Sequence, residues 1–330
     1  MTDLELIDFA KQNALAGKTL DKASIVQLLS IQPDSPADKA LGKAAREVAA
    51  SVTGNRGYLW GAIGLDAVPC SMNCEFCSLG EKWGIVQESK KISDEEIMAK
   101  VKQFAEIGAS WIILRTTEFY DLKKLGTFAA RIKKKVPGQY LLGINVGEFD
   151  LETANYLYKS GVDIVYHTVR LGEGKNTRFS IEERLETIRA IRESPLQLAF
   201  SVEPVGIEHT NEEIADLIVV ACENGSVQTG GMARIPVKGT PLGDLPQVSD
   251  ERMAQIGAVI RLANGQGDVC IYPPSEQALE KGANVLIIET GAIPRDSDCY
   301  SEKEWKQFSA DKARAWFDKH GFQSGVKKNG

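Results

Sequence analysis

The sequence predicts an α/β chain that closes as a complete (β/α)8 barrel behind an N-terminal helical extension. Three observations lead there. Short apolar runs alternate with longer amphipathic ones from Tyr58 nearly to the end, the texture of repeated βα units. The chain's 330 residues suit one barrel of roughly 250 residues plus an extension. No Pro/Ser-rich linker, low-complexity tract or short-period repeat divides it.

Residues 1–57 form the predicted helical cap. Apolar residues recur at helical spacing in LELIDFAKQNAL, DKASIVQLLS opens on the cap residue Asp21, and alanine-rich KALGKAAREVAASV makes a third helix. Residues 58–330 form the predicted barrel, with strands at 59–67, 110–115, 139–145, 163–168, 197–203, 228–233, 268–272 and 284–289. Between them run helical patterns, several of them opened by Ser, Asp or Thr and closed by Gly, as in TNEEIADLIVVACENG and SDERMAQIGAVIRLANG. EKEWKQFSADKARAWFDKHGF reads as a closing helix.

With 43% hydrophobic and 25% charged residues, the chain can bury a sizeable core without staples. A formal charge of −6 supplies no field for nucleic acid or anionic lipid. The start is acidic and amphipathic, and no stretch approaches the roughly 18 apolar residues of a membrane span, so a cytoplasmic location and no membrane partner are expected.

Six cysteines are too sparse for a disulfide framework. Cys222, Cys270 and Cys299 are scattered and read as small buried hydrophobes. Cys70, Cys74 and Cys77 are clustered as C-x3-C-x2-C directly after the first barrel strand, and barrel chemistry sits in the loops that follow the strands. Three close thiolates can hold three corners of an iron–sulfur cube and leave one iron open to a ligand. A closed zinc tetrahedron wants a fourth protein ligand, and no fourth Cys or His lies in the loop.

This spacing, with the aromatic Phe76 before the third cysteine, resembles the radical S-adenosylmethionine (radical SAM) superfamily. From about Tyr58 to Phe322 the chain is similar to the biotin synthase group, which also includes methylornithine synthase and the FeFe-hydrogenase maturase that acts on small ligands. The resemblance rests on Met232-Ala233-Arg234-Ile235-Pro236-Val237-Lys238-Gly239-Thr240-Pro241-Leu242, on Val205-Gly206-Ile207-Glu208-His209-Thr210 and on Thr177-Arg178-Phe179-Ser180 before ERL. It implies a 4Fe–4S cluster whose open iron chelates SAM, reductive cleavage to a 5′-deoxyadenosyl radical, and hydrogen abstraction from a substrate. It also implies an electron donor such as ferredoxin or flavodoxin.

For individual residues, the resemblance puts Cys70, Cys74 and Cys77 on the cluster and Phe76 near the adenine. Thr116, Thr117 and Glu118 stand where the family has a glycine-rich turn ending in Glu, which takes up SAM's amino group. Arg178 resembles the arginine that pairs with SAM's carboxylate, Thr168 and Arg170 lie where the family contacts SAM or substrate, and Val205, Gly206 and Ile207 would support the adenine. Asn145, His167, Arg234 and Tyr272 are candidate catalytic pocket residues, Arg234 because a guanidinium forks onto a carboxylate. A satisfied core histidine and an arginine neutralising Glu203 or Glu276 are the competing readings of His167 and Arg234.

Biotin synthase carries a second cluster deeper in its barrel. Laying the segments side by side puts Leu114, Gly143, Phe200 and Cys270 at its ligand positions, so three ligands are absent and sulfur insertion is disfavoured. The expected chemistry is rearrangement or fragmentation of a small, carboxylate-bearing metabolite in cofactor or amino-acid biosynthesis. Two alternatives stay open: a two-protein system like lipoyl synthase, with a second radical SAM or acyl-carrier partner, and a cluster-binding maturation scaffold without turnover.

Overall fold

The computed structural model describes residues 1–292 and 308–325. Three helices open the chain: α1 (Asp3–Leu15), α2 (Lys22–Leu29) and α3 (Pro36–Thr53). Each begins where a side chain accepts a free backbone N–H, at Thr2, Asp21 and Ser35. The third ends at Gly54, whose φ of 61° is the left-handed value that a residue without Cβ adopts at little cost.

Strand β1 (Arg56–Gly64) follows, then a two-stranded ribbon of β2 (Asp66–Ala67) and β3 (Lys90–Lys91). The βα units continue as α4 (Asp94–Glu106), β4 (Trp111–Arg115), α5 (Leu122–Lys135), β5 (Leu141–Asn145), α6 (Leu151–Lys159), β6 (Ile164–Tyr166), α7 (Ile181–Glu193) and β7 (Gln197–Val205). They close with α8 (Asn211–Glu223), β8 (Gln228–Ala233), α9 (Asp250–Asn264), β9 (Asp268–Tyr272), α10 (Glu276–Glu280), β10 (Val285–Gly291), α11 (Ala310–Lys319) and β11 (Gln323–Gly325).

Strands β1, β4, β5, β6, β7, β8, β9 and β10 pair in parallel in that order, and β10 returns to β1 over Tyr58–Gly64. This is the closed eight-stranded (β/α)8 barrel that the alternating pattern predicts. All eight predicted strands exist, most within two residues of their predicted bounds, and three departures matter for the site. The first stops at Gly64, because Asp66 and Ala67 leave to pair with Lys91 and Lys90. The fourth stops at Tyr166, so strand alternation does not extend to Thr168. A short β11, not predicted, pairs with the start of β1. Cys299 and the part of the predicted closing helix before Phe308 lie outside the described residues.

Two apolar layers hold the barrel. Outside it, strand residues such as Ile112, Leu114, Leu142 and Phe200 pack against the helices. Inside, Tyr58, Trp60, Trp111, Ile113, Ile164, Ala199 and Val285 form a separate cluster, with the Trp60 and Trp111 rings stacked 3.9 Å apart at 16°. Such a stacked pair adds about 0.5–1.5 kcal/mol beyond the burial of the two rings. The helical extension packs on one side, with α1 and α3 against α9. That helix therefore buries almost its whole circumference, from Met253 to Ala263.

Leu114 and Phe200 thus point away from the barrel interior, one residue out of step with the places the sequence reading assigned them. Ile113 and Arg115 face inward on β4, and Ala199 and Ser201 on β7. Neither pair supplies a thiol.

Candidate active site

Cys70, Cys74 and Cys77 lie between the ribbon strands, in the loop at the end where the parallel strands open. Cys70 N–H donates to Leu79 O at 2.6 Å and Cys77 N–H to Cys74 O at 2.9 Å, folding the loop back on itself. Asn73 turns the chain at φ 48°, its Nδ2 donating to Ser71 O at 2.7 Å and its Oδ1 accepting from Lys82 N at 2.9 Å. The loop is tied outward at Glu75: its N–H donates to Asn176 O (2.9 Å), its carboxylate accepts from Asn176 Nδ2 (2.7 Å), and its carbonyl accepts from Leu242 N (3.1 Å).

The three thiols, none in a disulfide, border a cavity of about 1320 Å³, part of it open to solvent, that runs down into the barrel. Burial pushes the Cys74 thiol up from its ordinary value, and Arg170 and Arg184 oppose that shift. Among the described residues, no group of three or more His, Cys, Asp and Glu side chains is placed to hold a single metal ion. The donor set is thus three thiols with no fourth ligand, which suits a cluster with one open iron.

Two sets of polar side chains stand on opposite sides of the cavity by strand order. On β6 and β7, the Tyr166 hydroxyl donates to Glu203, and Arg170 Nε lies 3.7 Å from Glu203 Oε1. On β9, β10 and β4, the Tyr272 hydroxyl donates to Glu289 Oε2 at 2.7 Å, and Arg115 Nη1 to Glu289 Oε1 at 2.9 Å. Each set pairs one carboxylate with one guanidinium. Burial and the Glu203 charge raise the Tyr166 pKa well above its ordinary value. Burial opposes the Arg170 charge, but Glu203 and other nearby negative groups outweigh it and leave the guanidinium protonated.

Of the residues singled out from the sequence, the structure brings Phe76, Thr117, Glu118, Asn145, Arg170 and Tyr272 to this cavity beside the three cysteines. Thr117 is held from below: Asp66 accepts its backbone N–H and its hydroxyl, each at 2.7 Å. Thr116 is turned away, its hydroxyl donating to Thr117 O at 2.9 Å.

The other assignments require correction. Arg178 is exposed and does not line the cavity. Arg184, on α7, is fully buried with its guanidinium 3.6 Å over the ring of Phe179, a cavity-wall residue, and its Nη2 has no hydrogen-bond partner. The sequence signal for it was an arginine on the apolar face of α7, four residues before Ile188. His167 lies behind the wall, its Nε2 3.2 Å from Glu148, which Arg184 and Thr187 also engage. Burial opposes the Glu148 charge, but His167, Arg184 and Thr187 hold its pKa down at about 2.

Thr168 donates to Ser201 O at 2.6 Å and does not reach the cavity. Val205 and Gly206 are buried behind it, Gly206 N–H donating to His209 Nδ1 at 2.9 Å, and Ile207 is exposed. Arg234 is buried but engaged elsewhere. Its Nε and Nη2 lie 3.3 and 3.2 Å from the Glu208 carboxylate, and its Nη1 donates to Leu242 O at 2.8 Å. Leu242 in turn holds Glu75, so Arg234 braces the cysteine loop and does not line the cavity. Its partner is neither Glu203 nor Glu276. The cavity cations are Arg115 and Arg170, and Arg115, Glu203 and Glu289 each stand as the last residue of a predicted strand, the position that feeds a barrel mouth.

Comparison with known proteins bears on the family and the fold. Residues 68–220 match the model of the radical SAM superfamily. The biotin synthase of Persephonella marina is 27% identical over 278 residues, covering 79% of this chain and 80% of the relative. That of Salinispora tropica is 26% identical over 302 residues, 86% of this chain and 90% of the relative. The crystal structure of methylornithine synthase superposes with a TM-score of 0.78 at 18% identity, over 96% of this chain and 97% of the other. The FeFe-hydrogenase maturase HydG from Carboxydothermus hydrogenoformans also gives 0.78, at 17% identity, over 98% of this chain and 80% of the other. At such identity the two structures bear on the fold alone. The sequence matches carry the rest: this protein is a radical SAM enzyme similar to the biotin synthase group, with the 4Fe–4S cluster and SAM that its superfamily implies.

Proposed function

We propose that the enzyme takes a hydrogen atom from a small, carboxylate-bearing metabolite of cofactor or amino-acid biosynthesis and rearranges or fragments it, without inserting sulfur. One observation carries this reading: the two Tyr–Glu–Arg sets, Tyr166–Glu203–Arg170 and Tyr272–Glu289–Arg115, in the cavity that the three cysteines border. Because each guanidinium already meets a carboxylate, a bare anion gains little there. A zwitterion fits better, its carboxylate on an arginine and its ammonium on a glutamate.

Cys70, Cys74 and Cys77 would hold the cluster. When bound, the cluster and SAM together supply the 5′-deoxyadenosyl radical. Glu118 would orient the amino-acid end of SAM through its ammonium, and Phe76 would pack near its adenine. Asn145, whose Nδ2 donates to Tyr166 O at 3.0 Å, and Tyr272 would position the substrate. The buried part of the wall would limit the water that reaches a primary carbon radical.

Sulfur insertion is disfavoured because, among the described residues lining the cavity below the loop, Cys270 is the one thiol. Burial pushes that thiol far up, so it stays protonated. A sulfur-donor cluster needs several thiolates.

The test is anaerobic reconstitution with iron and sulfide, an iron count, then dithionite and SAM with an assay of 5′-deoxyadenosine. The expected result is about four irons per chain and nucleoside formation that Cys74→Ala abolishes. About eight irons would overturn the single-cluster reading, and zinc in place of iron would overturn the site assignment.

A further inference from the structure

The floor of the cavity holds a polar side chain that nothing above uses. Gln228 is the first residue of β8, 1% exposed, and lines the cavity. Its Oε1 is buried without a hydrogen-bond partner. Its Nε2 lies over Gly230, where an added Cβ would come within 2.9 Å of it, so the missing side chain there makes room for the amide. Ser201 and Cys270 flank Gly230 in register on the neighbouring strands.

Around this amide the floor is apolar: Trp60 stacked on Trp111, with Ile113, Ala199 and Val285. Trp60 also lines the cavity, and its indole Nε1 is buried without a partner. A buried amide oxygen and a buried indole N–H left unpaired both lower stability unless a guest supplies the complement.

The geometry points to Gln228 as the residue that reads the end of the substrate remote from its charged head. This rests on the zwitterionic reading of the cavity given above and adds to it the chemistry of the substrate's tail. Among the described residues that line the cavity at this depth, the polar groups are the Gln228 amide, the Trp60 indole and the Ser201 hydroxyl, and none is ionised; Asp268, in register with Gln228, does not line the cavity and accepts from Asn284 Nδ2 at 2.9 Å. An ammonium or carboxylate buried there would be an unpaired charge, and a methyl group would leave the amide oxygen and the indole N–H unsatisfied. The tail that fits is neutral and both donates and accepts: a primary amide or a hydroxyl.

The test uses the reconstituted holoenzyme with SAM and pairs of amino acids alike in shape: L-glutamine against L-norleucine, and L-homoserine against L-norvaline, with L-lysine and L-glutamate as charged-tail controls. Affinity is read by titrated thermal shift, and 5′-deoxyadenosine formation is read alongside. The expected result is that the polar member of at least one pair binds on the order of tenfold more tightly than its apolar twin and than the charged controls. Gln228→Met, close in volume, should bring that preference to about one while iron content is unchanged. Gln228→Leu serves as a second variant should Met pack differently.

Equal binding of both twins, or a preference that survives both substitutions, overturns the role of Gln228 and leaves the zwitterionic reading standing. If no amino acid of the panel binds, the zwitterionic reading fails and this inference fails with it.

Discussion

Replacing Arg234 by Met separates a brace from a pocket residue. The guanidinium lies 3.2 and 3.3 Å from Glu208 and 2.8 Å from Leu242 O, and Leu242 N–H holds Glu75 of the cysteine loop at 3.1 Å. Removing one member of a buried pair costs about 3–5 kcal/mol. The Glu208 side chain is 31% exposed, so water takes back part of its charge and about 2–3 kcal/mol is the better figure. At about 2 °C per kcal/mol for a chain of this size, Tm should fall by about 4–6 °C in calorimetry of the reconstituted protein. Glu208→Gln combined with Arg234→Met should recover about 1–2 kcal/mol of the loss, because the stranded charge is gone. Iron should also be lost faster to a chelator, since the tether through Leu242 is loosened. A variant with wild-type Tm and iron retention but weakened substrate binding would refute this reasoning and return Arg234 to the cavity.

Two further outcomes follow from the site. Glu148 is held at about 2 by His167, Arg184 and Thr187 against the burial that opposes its charge. A depressed carboxylate contributes stability that is full above its unfolded value near 4.5 and is lost as pH falls from there toward about 2. Urea midpoints of wild type and Glu148→Gln should therefore differ by a constant amount at neutral pH and converge below pH about 4.5, and a gap that persists at acid pH would contradict the assignment. Cys270→Ala should keep the wild-type iron content, because a protonated thiol alone on the barrel wall does not assemble a second cluster; a fall from about eight irons to about four would show the opposite.

Much of this architecture is local and was legible in the sequence. Apolar runs of strand length, amphipathic stretches of helical period, and Ser, Thr, Asp and Gly at their ends each encode a preference that neighbouring residues satisfy among themselves. The spacing of Cys70, Cys74 and Cys77 is local in the same sense, and the barrel rule assigns a loop after the first strand to the mouth. These elements sit within a few residues of their predicted places.

What only the tertiary structure decided depends on closure. Arg115 and Glu289 are 174 residues apart and meet because β10 returns to β1 beside β4. Which of two neighbouring residues faces inward turns on a one-residue register, and Leu114 and Phe200 fell on the wrong side of it. Arg178 was assigned to an anion from the sequence, and folding left it exposed while burying Arg184 six residues on. Arg234 met Glu208 because both sit on chain that leaves the barrel mouth, where β7 and β8 run side by side. A charged side chain's partner is chosen by which burial leaves the fewest charges unpaired, a comparison over the whole closed barrel that no window of sequence contains.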